Sequence, residues 1–387
     1  MNSETTRDLI PYRVDVEESA IQNLRYRLRR TRWAPEIPGT GWERGVPTAY
    51  LGKLADYWAA DFDWRVQEAA INRYPQFTTV IDGANVHFLH VRSAEPDATP
   101  LLLLHGWPGS VVEFLDLVEP LTDPVAHGGT PGDAFDVVIP SLPGYGFSGP
   151  LTSTGWTDGR TAAALAELMS RLGYDRYGVQ GGDVGAFVAP LIGRLAPDRV
   201  IGIHVNALLT FPTGDPSVMG ALNDAERRRL AGFQDWRENL GAYMQLQATR
   251  PQTIAAALHD SPAGQLAWIV EKFKDWTDPS RDLPEEAVDL DRILTDVSIY
   301  WFTETAGSAA HTYYERFNDP SMHAPRSRGT VPTGVAVFPT DLSIRPLAEQ
   351  VHNVTHWTEF DRGGHFAALE TPDLLTTDLR AFFASLN

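Results

Sequence analysis

The stretch that most constrains the fold is a glycine-rich turn that leads from one apolar segment directly into another. Residues 177–181 have the pattern of a short buried strand, and residues 186–192 that of an apolar helix. Between them stands Gly181-Gly182-Asp183-Val184-Gly185. Glycines two residues before and two residues after Asp183 leave room for a tight, strained turn of the nucleophile-elbow type, whose usual form is G-x-S-x-G. The pattern predicts that Asp183 is presented where the strand ends.

An aspartate at the centre of such a turn changes the chemistry. A serine there attacks a carbonyl carbon, whereas a carboxylate attacks a saturated carbon and forms an alkyl ester. The substrate must then carry a leaving group or a strained ring. Taken alone, the Gly-Gly-Asp-x-Gly pattern is better explained by Asp183 capping the next helix, which aspartate does well. The other motifs decide between the two interpretations.

Composition narrows the class of protein. A chain of 387 residues is too long for one minimal core and predicts a core domain with an inserted or appended one. The net charge of −18, with only short basic clusters, argues against nucleic acid as a partner. The absence of cysteine excludes disulfides, thiolate zinc sites and cysteine nucleophiles. The polar N-terminus predicts neither a signal peptide nor a membrane span, so we expect a soluble, cytoplasmic protein.

Hydrophobic patterning along the chain predicts an α/β fold with a doubly wound, mostly parallel sheet. The predicted strands are residues 77–81, 86–91, 100–104, 135–140, 177–181, 200–205, 334–339 and 355–360. Between residues 213 and 330 the signals are helical, with long helices predicted at 224–244 and 290–317. The predicted parts are an N-terminal helical extension packed on the core (1–76), a first core segment (77–212), an inserted helical lid (213–330) and a second core segment (331–387).

A second motif, His105-Gly106-Trp107-Pro108-Gly109-Ser110, follows the strand at 100–104. Its position suggests an oxyanion loop whose backbone N–H groups point into the site. The Trp107–Pro108 bond is a candidate for the cis form, although an ordinary Gly-Pro turn explains the loop as well when it is taken alone. We predict that His105, Trp107 and Pro108 contact the substrate.

His365 stands in Arg362-Gly363-Gly364-His365-Phe366, after the last predicted strand and before the final helix. A nucleophile, then an acid, then a histidine is the chain order of the triads that use this elbow. Asp341 follows the preceding core strand and is placed to orient the imidazole. Glu359 and Asp361 are rivals, but they lie on or beside the strand of the histidine itself and fit the position less well.

With these residues placed, the chain resembles the epoxide hydrolases of the α/β-hydrolase superfamily, in their microsomal-type branch, and looks like a soluble bacterial member. The resemblance extends over nearly the whole chain. It rests on Trp33-Ala34-Pro35, His105-Gly106-Trp107-Pro108, Gly182-Asp183-Val184-Gly185, Asp260-Ser261-Pro262-Ala263-Gly264 and Gly363-Gly364-His365-Phe366-Ala367, in that order. Two departures are the missing N-terminal anchor of the membrane-bound relatives and Val184, where relatives often have tryptophan.

The resemblance implies a mechanism without metal or organic cofactor. Asp183 would open an epoxide to a covalent ester, the N–H groups of Trp107 and Val184 would hold the oxyanion, and His365, oriented by Asp341, would activate a water to release a vicinal diol. The family also uses two lid tyrosines that hold and protonate the epoxide oxygen. The matching positions are Tyr243 and Tyr313, with Tyr314 as the competitor of Tyr313.

Two other functions stay open. A haloalkane-type dehalogenase shares the aspartate elbow, but Val184 and the tyrosine pair argue against it. A non-catalytic ligand-binding protein could reuse the fold, but the joint presence of Asp183, Asp341 and His365 argues against that. The aromatic lid suggests a bulky or aromatic epoxide, in natural-product biosynthesis or in detoxification. A homodimer is one arrangement that the apolar N-terminal block allows.

Overall fold

The computed structural model of the protein describes residues 9–212, 215–324 and 327–386. Its strands are β1 (Ile10–Tyr12), β2 (Gln76–Ile81), β3 (Ala84–Val91), β4 (Thr99–Leu104), β5 (Phe135–Pro140), β6 (Tyr177–Gly181), β7 (Val200–Asn206), β8 (Pro332–Val337) and β9 (Asn353–Glu359). Its α-helices are α1 (Glu18–Leu28), α2 (Thr48–Ala60), α3 (Trp64–Ile71), α4 (Leu115–Thr122), α5 (Asp158–Arg171), α6 (Val184–Leu195), α7 (Pro216–Ala221), α8 (Asp224–Asp235), α9 (Ala242–Thr249), α10 (Pro251–Asp260), α11 (Pro262–Trp276), α12 (Leu290–Phe302), α13 (Ala306–Phe317), α14 (Arg345–Val351), α15 (Ala367–Glu370) and α16 (Pro372–Ala384).

All the strands form one sheet, in the order β1-β2-β3-β5-β4-β6-β7-β8-β9. The strands from β5 to β9 in that order are parallel, and β1, β2 and β3 add an antiparallel edge. Residues 101–104 of β4 are completely buried, as a central parallel strand covered by helices on both faces requires. The predicted α/β, doubly wound and mostly parallel sheet is confirmed. Its carboxyl edge collects the loops after β4, β6, β8 and β9, which carry the predicted catalytic residues.

The sequence predicts a helical N-terminal extension, but in the structure the extension also contains a strand. Residues Ile10–Tyr12 form β1, which pairs antiparallel with β2 so that Ile10 lies opposite Thr78. A strand of three residues is too short to show an alternating pattern, which is why periodicity did not reveal it. The extension therefore supplies an edge strand of the sheet in addition to α1, α2 and α3.

The helices of the extension pack on the lid more than on the core domain. Tyr57 donates a hydrogen bond to Asp291 at 2.9 Å, and the Trp58 indole donates to Ser298 at the same distance. Trp64 meets Phe302 edge to face, with ring centroids 4.9 Å apart. The extension therefore contacts the core domain through β1 and contacts the lid through its helices, which pack against α11 and α12.

Between β7 and β8, the described residues form helices, turns and loops without a strand, as the predicted lid requires. The two long helices are each broken. The first ends at Asp235 and passes through a π-helical turn at Trp236–Leu240 before α9 begins. The second breaks at residues 303–305, where Glu304 has a φ of +56°. Residues 213–214 and 325–326 of the predicted lid lie outside the described residues.

No helix in the described part of the chain has both the length and the apolar composition needed to cross a bilayer.

Candidate active site

Asp183 occupies a strained turn between β6 and α6, with φ +50° and ψ −115°. Positions 181 and 185, which flank Asp183, have room only for glycine. A Cβ at Gly181 would lie 2.3 Å from the carbonyl oxygen of Gly185, and a Cβ at Gly185 would lie 2.2 Å from that of Leu104. The Asp183 side chain makes no capping hydrogen bond to α6, so the helix-cap interpretation fails. A non-glycine residue held at positive φ costs on the order of 1–3 kcal/mol, a strain that is typical of functional sites.

The two carboxylate oxygens of Asp183 have different surroundings. Oδ1 accepts a hydrogen bond from the backbone N–H of Trp107 at 2.9 Å. Gly106 permits this approach, because a Cβ there would stand 2.2 Å from the same oxygen. Val184 is the first residue of α6, so its N–H has no partner within the helix and lies at the positive end of the helix dipole. The Trp107 N–H, one of the two predicted oxyanion donors, is thus hydrogen-bonded to Oδ1.

His365 lies on the other side of the carboxylate, with Nε2 3.4 Å from Oδ2 of Asp183. Its backbone N–H donates to the carbonyl of Trp276 at 2.8 Å, and its ring lies 4.9 Å from the Trp276 ring. Burial acts to lower the pKa of His365, but the hydrogen bond and charge of Asp183, followed by the charge of Asp341, raise it above the usual value. In Asp183, burial is likewise outweighed by His365 and by the Trp107 N–H, so its pKa is lowered. The resting pair is therefore stabilised as carboxylate and imidazolium.

Asp341 follows β8 and is buried, with Oδ2 accepting hydrogen bonds from the backbone N–H groups of Phe338 (3.0 Å) and Ala207 (3.2 Å). Burial raises its pKa to about 6, against the opposing effects of these N–H groups and of the charge on His365. Asp341 and His365 line the same cavity, and each favours the charged form of the other. The rival Glu359 is exposed and engaged by both Nη atoms of Arg229.

The two predicted lid tyrosines border the same cavity as Asp183. Tyr243 lies at the start of α9 and Tyr313 on α13, with ring centroids 6.2 Å apart. Trp107 stacks on Tyr243 at 5.1 Å and meets Tyr313 edge to face at 5.9 Å. Burial, and then the charge of Asp183, raise the pKa of both phenols well above 10. Tyr313 is 3% exposed and Tyr314 is 42% exposed, so Tyr313 is the residue that faces the site.

A cavity of about 240 Å³ joins the two sides. Asp183, His365, Asp341, Tyr243 and Tyr313 all border it. The rest of its wall is largely apolar and includes Phe187, Leu209, Trp236, Leu240, Met244, Trp276, Phe317 and Leu342. The residues brought together from five separate segments can thus act on one small apolar molecule.

Comparisons with known proteins identify the family of the chain. A family model described as epoxide hydrolase N terminus matches residues 9–114, and one described as alpha/beta hydrolase fold matches residues 99–251. A protein of Stigmatella aurantiaca (strain DW4/3-1), described as "Putative epoxide hydrolase", is 46% identical over 98% of this chain and 85% of its own. Epoxide hydrolase 1 of Sus scrofa is 34% identical over 97% of this chain and 88% of its own. The chain belongs to the epoxide hydrolase family.

Solved structures of the family superpose on the enzyme over nearly its full length. The epoxide hydrolase of Aspergillus niger has a TM-score of 0.86 and 35% identity, covering 98% of this chain and 97% of that one. The juvenile hormone epoxide hydrolase of Bombyx mori has a TM-score of 0.89 and 30% identity, covering 98% and 95%. The α/β-hydrolase fold expected from the resemblance is therefore shown for this chain.

The structure corrects one group of predicted substrate contacts in the enzyme. His105 is buried, Nδ1 donates to the carbonyl of Gly106 at 2.9 Å and Nε2 accepts from the N–H of Leu142 at 3.1 Å. Burial lowers the pKa of His105 to about 4, which keeps the ring neutral. None of the three predicted contacts, His105, Trp107 and Pro108, borders the 240 Å³ cavity, and the Trp107–Pro108 bond is cis. They lie in the predicted oxyanion loop, in which Trp107 donates its N–H to Asp183 and stacks on Tyr243.

Two residues near the reacting groups were missed by sequence reasoning. Glu370 accepts hydrogen bonds from the backbone N–H groups of Asp278 and Phe366, and burial raises its pKa to about 7. Arg316 borders the cavity, forms a two-bond ion pair with Asp158 at 2.7 and 2.8 Å, and has its guanidinium carbon 5.5 Å from the Tyr313 ring. Its position three residues after Tyr313 on α13 was the available signal, since such residues share a helix face.

Proposed function

We propose that the enzyme opens its epoxide by nucleophilic attack of Asp183 and hydrolyses the resulting ester with a water activated by His365. The observation that carries this proposal is the unequal environment of the carboxylate. Oδ1 is held by the Trp107 N–H, which leaves Oδ2 to attack, and the two phenols stand across the cavity from it. A carboxylate used only for binding would not need a strained elbow or an N–H donor fixed on one oxygen.

In the first step, Oδ2 forms a bond to a ring carbon while the carbon–oxygen bond of the epoxide breaks. The developing alkoxide takes a proton from Tyr243 or Tyr313, and a phenolate remains. The raised phenol pKa values keep both tyrosines protonated at neutral pH, so they are ready to donate. The lowered pKa of Asp183 keeps the nucleophile ionised over the same range.

The second step uses His365 as a base. Once Asp183 is an ester, its negative charge no longer raises the pKa of His365, and the ring releases its proton to solvent more readily. It then takes a proton from water, and the hydroxide attacks Cγ while Oδ1 becomes an oxyanion held by the N–H groups of Trp107 and Val184. The Cγ–Oδ2 bond breaks, the imidazolium protonates the departing diol, and the proton of the new carboxylic acid returns to the phenolate. His365 then takes up a proton from solvent beside the re-formed carboxylate, which restores the resting pair.

The cavity indicates the substrate class. An apolar cavity of about 150 Å³ accommodates benzene in other proteins, so 240 Å³ is sufficient for an aromatic ring carrying an epoxide. We propose a compact aromatic or bulky apolar epoxide as the substrate. Both a biosynthetic and a detoxifying role are compatible with such a molecule.

A single turnover with enzyme in molar excess over styrene oxide, in water enriched in heavy oxygen, tests the proposal. We expect the first diol to carry unlabelled oxygen from the protein and the peptide containing Asp183 to gain the label. A diol labelled from the outset would show direct attack by water and would overturn the role of Asp183. Halide release from a halogenated alkane in a parallel assay would point to the dehalogenase alternative.

A further inference from the structure

Lys272 is a buried lysine that the proposed chemistry leaves without a role. The sequence has three lysines, and this one is 1% exposed in the middle of α11. Burying an ammonium group costs free energy unless neighbouring groups stabilise its positive charge. We therefore expect negatively charged or electron-rich groups around Lys272. Lys272 does not border the substrate cavity.

The ammonium group lies against the face of Tyr243. Nζ is 4.6 Å from the centre of the Tyr243 ring and 5.7 Å from that of Trp276. On its other side it forms ion pairs with Glu271 and, at 3.7 Å, with Asp275. The opposite neighbours of the Tyr243 ring are uncharged, because Trp107 stacks on it and Tyr313 meets it edge to face. Lys272 is therefore the cation in ring contact with this phenol, whereas Arg316 contacts the ring of Tyr313.

A cation over an aromatic face is attracted to the ring, and the attraction grows when the ring becomes negatively charged. Tyr243 would become a phenolate when it gives its proton to the opened epoxide. The ammonium group is fixed beforehand by two carboxylates, so no reorganisation is needed when that charge appears. Burial and the negative charge of Asp183 disfavour the phenolate and raise the pKa of Tyr243, whereas the charge of Arg316 and a hydrogen bond with Tyr313 act in the other direction. The contribution of Lys272 would come through its contact with the ring face.

We propose that Lys272 is a positioning residue that acts through Tyr243, stabilising the phenolate formed when the epoxide ring opens. This inference rests on the proposed function, since it needs Tyr243 to donate a proton in the alkylation step. It predicts an effect confined to that step. Hydrolysis of the ester, which depends on His365 and Asp341, should not change.

The test is a double-mutant cycle on the alkylation rate, with wild type, Lys272→Met, Tyr243→Phe and the double variant. Rapid-quench single turnovers of styrene oxide, followed by mass analysis of the Asp183 peptide, give the rates of ester formation and of ester decay. We expect Lys272→Met to slow ester formation about tenfold and to leave decay unchanged. In the Tyr243→Phe background the same change should have no further effect on ester formation, because the group it acts through is gone.

Lys274→Met, on the same helix, is the matched control and should behave as wild type. Lys272→Arg keeps the charge and should restore most of the rate. An equal slowing in both Tyr243 backgrounds, or an equal slowing of ester decay, would mean a purely structural role and would overturn the inference. Absence of any slowing would overturn it as well.

If Lys272→Met does not fold, Glu271→Gln carries the test. It removes one counter-charge at a partly exposed position and leaves the ammonium group in place. Ester formation should then become faster when Tyr243 is present and stay unchanged when it is phenylalanine, and an unchanged rate in both backgrounds contradicts the inference. If the wild type forms no ester at all, both the proposed function and this inference are wrong. If the ester forms at the same rate in every variant, only this inference is wrong.

Discussion

The two walls of the active-site cavity are built in different ways. On the sheet side, the backbone holds the acting groups directly: Trp107 N–H binds the Asp183 carboxylate, and two N–H groups bind Asp341. On the lid side, Tyr243 and Tyr313 are placed by contacts between aromatic rings. Hydrogen bonds from the backbone fix the orientation of the two carboxylates. Ring packing fixes the position of the two phenol rings but leaves their oxygen atoms freer to follow a substrate.

The walls also differ in charge. The sheet side holds a carboxylate and imidazolium that stabilise each other. On the lid side the two phenols are neutral, and Arg316 beside them is paired with Asp158. Charge must cross from the first wall to the second as the epoxide opens, because the carboxylate is neutralised while a phenolate forms. We therefore expect the removal of a reacting group on the sheet side to stop ester formation or ester decay. The removal of a phenol on the lid side should only slow ester formation.

The largest effect should come from Asp183→Asn, which removes the nucleophile while keeping the shape. Diol formation from styrene oxide should fall at least about 10⁴-fold. Asparagine tolerates positive φ, so the melting temperature should not drop, whereas Asp183→Ala should be equally inactive and less stable. Activity of the asparagine variant within tenfold of wild type, with intact mass confirming that no deamidation occurred, would contradict the role of Asp183.

His365→Gln should separate the two steps. Ester formation should continue, since Asp183 and the tyrosines are intact, but ester decay should slow about 10³- to 10⁴-fold because the base is lost. Intact-protein mass spectrometry should show one substrate added per chain, and diol should appear in no more than stoichiometric amount. Failure of the adduct to accumulate, in a folded variant, would place His365 outside the hydrolytic step.

Asp341→Asn should change the pH dependence of ester decay. The decay rate rises with pH as His365 loses its proton, and removing a nearby carboxylate lowers the pKa of His365. The rising part of the profile should therefore move to lower pH, while the plateau falls about 10²- to 10⁴-fold because the ring is less well oriented. The measurement is the single-turnover decay rate between pH 5 and 9, and a shift to higher pH would contradict this assignment.

The smallest effects should be on the lid side. Tyr313→Phe should slow ester formation about tenfold, since Tyr243 can still donate, and Tyr243→Phe should behave similarly. The double variant should lose about 10³-fold in the same step. Tyr314→Phe is the matched control, because Tyr314 is exposed, and it should leave both steps unchanged. A larger loss from Tyr314→Phe than from Tyr313→Phe would reverse the assignment of the lid tyrosine.

Sequence reasoning was strongest where local chemistry determines structure. The elbow at Asp183 and the strand before it were predictable because glycine spacing and a buried apolar run have few alternative explanations. Tyr243 and Tyr313 came only from resemblance, since nothing local distinguishes a lid tyrosine from a packing one. His105 was misplaced because its residue type suggests chemistry, while its burial under the loop is set by Leu142, far away in sequence. The contact between Lys272 and Tyr243 could not be predicted either, because it forms only when α11 and α9 are packed together.

The outer face of the lid has a consequence for motion. Hydrogen bonds from the extension end on α10 and α12, through Arg27 to Asp260, Tyr57 to Asp291 and Trp58 to Ser298. The end of α8, the π-helical turn and the start of α9 border the cavity through Gly232, Asp235, Trp236, Leu240 and Met244. Amide hydrogens of α11 and α12 should thus exchange with solvent about as slowly as those of the sheet, and those of α8 and the π-helical turn much faster. We then expect the lid to open locally at one edge only. Substrate would enter and diol would leave by the same path, beside Trp236 and Leu240.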